Sequence, residues 1–525
     1  MTPSHSATYE DAKRWIAAVL RDSHVREEAV ELGLLRSSLD ERLMQCVWHE
    51  LLFRSELRTV SGKPLVIRAP GRWNTSAGPD FLGADLQIAG ENSSGDVEIH
   101  INSADWRRHR HNEDFAYNGV VLHAFLRLND GQKFDTLQNG RRIERFDMGA
   151  HLYPDLTTIQ QTINPDDYYP FAENVTLGVC HRVFATMERR ALERFLHQAG
   201  RERLGDKVRR FEAQLSGESL EQVFYQAVLA SLGHKSSKVL LFLLSKRVPL
   251  SEVLGLLTGA SAEERSLQAQ AILLHVANLV PPPPPADPDS EGFDEDTLEY
   301  LNRLHRCWAE AAGYFSDRLI PPTRQWFSGM RPANFPPRRL AGVAELLARR
   351  YQGEGLLSEL YGLFSGHGAS DPDERDVRRF VARVAGELSV PASGYWAHRF
   401  TIGGKRAARP QPLIGPDRAT SIVFNALIPL VIVRAGHEGD RQTRRFAERV
   451  YDLFPPLAEN AIVRFMRVRL FGQNWRESVG RFTRECRNQA LLKIFQDCCN
   501  NNEKSCADCA FFRDSGAAPP TRDAP

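Results

Sequence analysis
Two short stretches hold residues whose types and spacing could do chemistry: GPDF at 78–81 and GDVEIH at 95–100. Side chains alternate along a strand, so an extended 95–101 segment puts Asp96, Glu98 and His100 on one face and Val97, Ile99 and Ile101 on the other. Residues two apart on a strand lie about 6.5–7 Å from each other and face the same way. The carboxylates of Asp80 and Glu98 suit a hard divalent ion such as Mg²⁺ or Mn²⁺, which keeps several waters and needs few protein ligands. His100 would then orient or deprotonate a water beside the ion. The chemistry this implies is metal-assisted hydrolysis. A polar outer face on an antiparallel strand is the plain alternative.

These residues need a frame to position them. SLDE at 38–41 has the form of a capping box, with Ser38 as cap and Glu41 reaching back. The helix it opens carries Leu39, Leu43, Cys46, Val47 and Leu51 at helical spacing. Glu50 falls beside that apolar stripe, where a carboxylate needs a partner, so it enters as a third acid. Strand-like runs follow at 64–70, 81–89, 96–101 and 119–128, with a helix expected over 103–118. That order predicts a mixed α/β domain over 38–150, preceded by a helical arm at 1–37. From Met187 the pattern is almost wholly helical. Helical regions at 151–280 and 297–512 are divided by a Pro-rich acidic linker at 281–296, and 513–525 reads as a disordered tail. The fold class expected is α+β.

Next to the Glu-x-His strand lies DWRRHRHNEDFAYNGVVLH (105–123), with Asp105, His109, His111, Asp114 and His123. His123 shares strand parity with Val121 and Phe125, so it faces a core or a cleft. A zinc-dependent hydrolase using His109, His111 and His123 is therefore a second reading. A zincin is excluded, because His49-Glu50 lacks a second His four residues after the first.

Five of the eight cysteines fall between Cys486 and Cys509. Cys506-x-x-Cys509 can hold one metal between two thiolates, and Cys498 or Cys499 with Cys486 would complete four ligands. A zinc knuckle, an iron–sulfur staple, or reduced thiols with packing duties all fit. Lys plus Arg (67) and Asp plus Glu (66) nearly cancel, so bulk charge does not decide for or against nucleic acid. The segment from Arg441 to Arg487 has 11 arginines against five acidic residues, which reads first as a solvated helix surface. No uninterrupted apolar run reaches the roughly 18–20 residues of a membrane span, and the N-terminus lacks a secretory pattern, so a cytoplasmic protein is expected. Arg331, Arg338 and Arg339 in RPANFPPRRLAGVAELL (331–347) could meet phosphates or dock a loop. GYWAHRFTIGGK (394–405) is not a P-loop.

The helix, the strands and the Asp80/Glu98 pair resemble the PD-(D/E)xK nuclease superfamily over residues 40–130. The resemblance implies Asp80 and Glu98 as metal ligands, Glu50 as accessory acid, Mg²⁺ or Mn²⁺ as cofactor, and DNA or RNA as substrate. His100 stands where the superfamily usually has Lys. Some nucleases of that superfamily carry a C-terminal cysteine-ligated iron–sulfur cluster, which would make Cys46 a distant fourth ligand. Four longer stretches, NTSAGPDFLGADLQI, GDVEIHINSADWRRHRHNEDFAYNGVVLHAF, RPANFPPRRLA and the cysteine-bearing C-terminus, resemble the bacterial domain of unknown function 2851. A nuclease-like hydrolase leads the expectations. The alternatives are a non-catalytic nucleic-acid-binding or assembly protein on a decayed nuclease fold, and the zinc hydrolase.

Overall fold
The computed structural model describes residues 41–74 and 78–163 and, with gaps, 165–282 and 293–499, together with Tyr9, Glu10 and Lys13. The expected cap Ser38 and the pair Cys506 and Cys509 lie outside the described residues. The chain forms two compact units, one of residues 1–199 with 460–481 and 491–525, the other of residues 200–459 with 482–490. It is an α+β protein, a curled sheet near the N-terminus followed by a mostly helical region.

In the first unit, helix α1 (Glu41–His49) buries Leu43, Met44, Cys46, Val47 and Trp48 and packs on the sheet at its fifth strand. The strands are β1 (Leu57–Arg58), β2 (Pro64–Ala69), β3 (Arg72–Trp73), β4 (Phe81–Ile88), β5 (Glu91–Asn102), β6 (Val120–Arg127), β7 (Phe134–Thr136) and β8 (Arg142–Asp147). Their order is β1-β2-β4-β5-β6-β8-β7, with β3 on β4. Strands β2, β4 and β5 run as an antiparallel meander, β5, β6 and β8 are mutually parallel, and β7 returns antiparallel to β8. The β4–β5 hairpin closes on Ala89 and Gly90, both at positive φ (52° and 89°), between the paired Ile88 and Glu91. Two central residues at positive φ match the twist of a tight hairpin.

The 103–118 segment departs from the expected helix. It makes one turn, α2 (Asp105–Arg108), and a 3₁₀ turn at Phe115–Tyr117. Apolar residues are sparse between them, and Arg110 at φ 60° takes the left-handed conformation that ends a helix. The result is a surface loop carrying two histidines back over the end of the sheet. Strands β7 and β8 were not expected, and both supply site residues.

The second unit is helical. Arg338 and Arg339, on helix Pro336–Arg349, are buried, and their guanidinium groups donate to backbone carbonyls of the 396–413 segment: Arg338 to Trp396 (3.2 Å), Pro412 (3.0 Å) and Gln411, Arg339 to Leu413 (2.6 Å). They tie down a loop. The helix Pro416–His437 continues through a π turn at Val423–Leu427 and is long and apolar enough, by length and composition, to cross a membrane. That departs from the reading of uninterrupted apolar runs, because its polar first turn joins the apolar stretch in one helix. Of its most apolar 18-residue window, 72% is buried, as in a core helix.

Candidate functional site
The loop before β4 sets Asp80 at the mouth of the sheet. Asn74 holds that loop, its backbone N–H donating to the Asp80 carbonyl (2.7 Å) and its side-chain amide to the Pro79 carbonyl (2.8 Å). The Asp80 carboxylate accepts from Gln45 Nε2 on α1 (2.8 Å) and from the Ile99 N–H on β5 (2.9 Å). The Asp80 N–H in turn donates to Glu98 Oε2 (3.1 Å). Asp80 and Glu98 therefore lie together at one end of the sheet.

Glu98 and His100 are 6% and 1% exposed, so both sit inside the protein. Glu98 Oε1 is 3.6 Å from His100 Nε2 and 3.4 Å from His111 Nε2. His100 Nε2 is also 3.2 Å from His109 Nδ1 and 3.3 Å from His111 Nε2. His111 is held by the Tyr117 ring, with centroids 3.8 Å apart, and by Trp106 against its edge. His109 is exposed at the opening.

Behind His100 runs a buried column. His100 Nδ1 lies 2.9 Å from His123 Nε2, and His123 Nδ1 lies 2.6 Å from Asp135 Oδ2 on β7. Arg145 on β8 brings its Nε to 3.0 Å from the same carboxylate oxygen. A carboxylate can only accept, so His123 Nδ1 carries the proton and its Nε2 is the acceptor. His100 then donates through Nδ1, and its Nε2 presents a lone pair toward Glu98, His109 and His111. Burial, followed by the neighbouring His123, His111 and His109, holds His100 well below the usual imidazole range. Burial also lowers His123, against the pull of Asp135. Both rings are neutral at physiological pH.

The histidine set differs from the expected one. His100 joins His109 and His111, and the ligand atoms of these three lie within 4.8 Å of one another. His123 stands behind them, because Asp135 and His100 occupy its two nitrogens. The helix brings a further acid. Gln45 touches Asp80, and Glu41 lies one turn before Gln45 on the same face. Glu50 follows the end of the helix, its carboxylate 4.0 Å from His49 Nε2. Burial, then the charges of Asp80 and Asp105, raise the Glu41 carboxyl to about 7 from the ordinary 4.5.

The remaining candidates hold the backbone. Asp96 accepts from the Gly83 N–H (3.1 Å), at a register shift between β5 and β6. Asp105 accepts from Asn102 (3.2 Å) and pairs with Arg108 (3.0 Å). Asp114 caps the 3₁₀ turn through the Ala116 N–H (2.9 Å). Cys498 is buried and Cys499 half-buried on the turn Phe495–Cys499, Cys46 is buried in α1, and burial pushes the Cys486 thiol up to about 12.

A raised carboxyl has a consequence for stability in metal-free protein. Glu41 is protonated in the fold below pH 4.5, and its favourable contribution is lost as pH rises through about 7. Glu41→Gln should therefore gain on wild type by on the order of 2 kcal/mol between pH 5 and pH 8. Urea unfolding in chelator at both pH values measures this. An identical difference at the two pH values would contradict it.

Comparison with known proteins adds one finding. A family model described as a protein of unknown function, DUF2851, matches residues 41–459. No curated protein and no solved structure matches the chain.

Proposed function
Because the chain belongs to the DUF2851 family, whose description assigns no activity, function has to be read from the site, and we propose a metal-dependent, nuclease-like phosphodiester hydrolase. The observation that carries this reading is the convergence of Asp80 and Glu98, joined by the Asp80 N–H to Glu98 Oε2 bond at 3.1 Å, beside the neutral His100. The order of elements supports the same reading: an acid-bearing helix, an antiparallel meander of three strands, a crossover, and a fourth strand parallel to the third. In the PD-(D/E)xK arrangement the paired acids stand at the second and third strands of such a meander. We read Asp80 and Glu98 as that pair, with Glu41 and Glu50 as candidates for the helix acid.

The donor set fits a divalent ion. A carboxylate oxygen has two lone pairs, so the oxygens of Asp80 and Glu98 can accept from protein donors and still offer a pair to an ion. Asp80 and Glu98 would hold such an ion, which when bound supplies Lewis acidity toward a phosphoryl oxygen and a more acidic water. The chain's own residues do the rest. His100, kept neutral by burial, accepts a hydrogen bond or a proton at Nε2. Glu41, with a carboxyl near 7, can give or take a proton at neutral pH. His109 at the opening is the group of this cluster that an incoming phosphate meets first.

The test is cleavage of labelled single- and double-stranded DNA and RNA by chelated protein resupplied with Mg²⁺, Mn²⁺ or Zn²⁺. Wild type should cleave at least one of them only with metal, and Asp80→Ala should not. Equal behaviour of the two proteins sinks the reading. Salt-sensitive binding without cleavage under any metal would point instead to a binding protein on the same fold.

A further inference from the structure
Donor atoms of His109, His111 and Glu98 gather around His100 Nε2 at the end of the sheet, and their spacing carries more than the pair of acids does. The separations are 3.2 Å (His100 Nε2 to His109 Nδ1), 3.3 Å (His100 Nε2 to His111 Nε2), 3.4 Å (His111 Nε2 to Glu98 Oε1) and 3.6 Å (His100 Nε2 to Glu98 Oε1). Ligands bonded at about 2.0–2.1 Å to a tetrahedral ion stand about 3.3 Å from each other. The four contacts match that ligand-to-ligand spacing, and the three histidine nitrogens all lie within 4.8 Å of one another.

The column behind His100 is the second, independent observation. Metal-bound imidazoles usually donate their other N–H to an acceptor, which fixes tautomer and ring orientation. Here Asp135 fixes His123, and His123 fixes His100, so that the outer nitrogen is the lone-pair one. Arg145 holds the carboxylate from behind at 3.0 Å and is itself fully buried. An arrangement needed only for packing has no use for a defined tautomer two residues deep.

We propose that His100, His109, His111 and Glu98 form a first-row transition-metal site of the zinc class, with His123 and Asp135 as its positioning residues. Imidazole nitrogen favours Zn²⁺, Co²⁺ and Fe²⁺, whereas Mg²⁺ prefers oxygen, so the site selects nitrogen-preferring ions over Mg²⁺. The proposal rests on the hydrolase reading only in sharing Glu98: its ligand set takes in His100, His109 and His111 and leaves Asp80 out, and its test needs no turnover.

Full-length protein, freed of metal by chelation, is titrated with Co²⁺ and followed by visible d–d absorption, then challenged with Zn²⁺ and with Mg²⁺. One equivalent of Co²⁺ should bind without the intense near-ultraviolet charge transfer of thiolate ligation, and Zn²⁺ but not Mg²⁺ should displace it. His109→Gln, at an exposed position where folding is not at stake, should weaken Co²⁺ binding at least tenfold. Asp135→Asn, checked for folding by circular dichroism, should weaken it about 10–100-fold while leaving all four ligands in place. Absence of the band, displacement by Mg²⁺, or a band indifferent to His109→Gln would overturn the proposal. Cobalt binding without cleavage would leave this inference standing and remove the hydrolase. Cleavage with Mg²⁺ alone and no cobalt site would do the reverse.

Discussion

Replacing Glu98 by Gln is expected to abolish hydrolysis, with kcat/KM falling by about 10³-fold or more and the fold preserved. Glu98 ties the site's parts together. One carboxylate oxygen accepts from the Asp80 backbone at 3.1 Å, and the other faces His111 at 3.4 Å and His100 at 3.6 Å. Glutamine matches its size and can still accept from Asp80, but its other terminus is an uncharged amide. The negative charge that would stabilise a cation and the transition state is gone, a loss of about 4 kcal/mol for 10³-fold. The effect should appear in kcat more than in KM, because Glu98 lies inside the protein and takes no part in holding the rest of a long substrate. Single-turnover cleavage of a labelled oligonucleotide measures it, and cleavage at the wild-type rate would contradict it.

The second large effect concerns stability. Arg145 is 0% exposed, pairs with both Asp130 oxygens (2.9 and 3.0 Å), reaches Asp135 at 3.0 Å and lies over the Phe125 ring. It also donates to the Gln132 carbonyl. Arg145→Met keeps the apolar stem but leaves the Asp135 carboxylate buried beside His123 without a cation. Removing one partner of a buried pair typically costs 3–5 kcal/mol, more than the pair's net worth, because the other charge remains. The urea midpoint of the transition reporting on the sheet should fall accordingly. Adding Asp135→Asn should recover part of the loss, since it removes the stranded charge. An unchanged midpoint for Arg145→Met would contradict the account.

Much of the first unit is legible in the sequence. The runs at 64–70, 81–89, 96–101 and 119–128 alternate or are strongly apolar, and the structure forms strands at each. Asp80, Glu98 and His100 stand out because a Pro-Asp turn and a Glu-x-His strand place polar groups where burial is otherwise expected. The rest depends on contacts that periodicity does not carry. Asp135 and Arg145 lie on short strands among turn residues, and only tertiary pairing makes them one column with His123. Glu41 reads as a helix cap from its local pattern, and its buried place near the charges of Asp80 and Asp105 depends on tertiary packing. A helix is expected over 103–118, yet Arg110 at φ 60° breaks it, and His109 and His111 reach His100.

The imidazole of His100 also gains a meaning that the motif alone does not supply. Where a lysine would bring a fixed charge, a neutral His100 brings a lone pair aimed by two residues behind it.

The most direct measurement is anomalous diffraction from crystals of the full chain soaked with Zn²⁺ or Mn²⁺, recorded at the edge of the ion used. The account requires a peak within bonding distance, about 2.0–2.3 Å, of Glu98 Oε1 and His100 Nε2, and its loss in Glu98→Gln. An ordered site in which Glu98, His100, His109 and His111 bind no ion at saturating metal would contradict it.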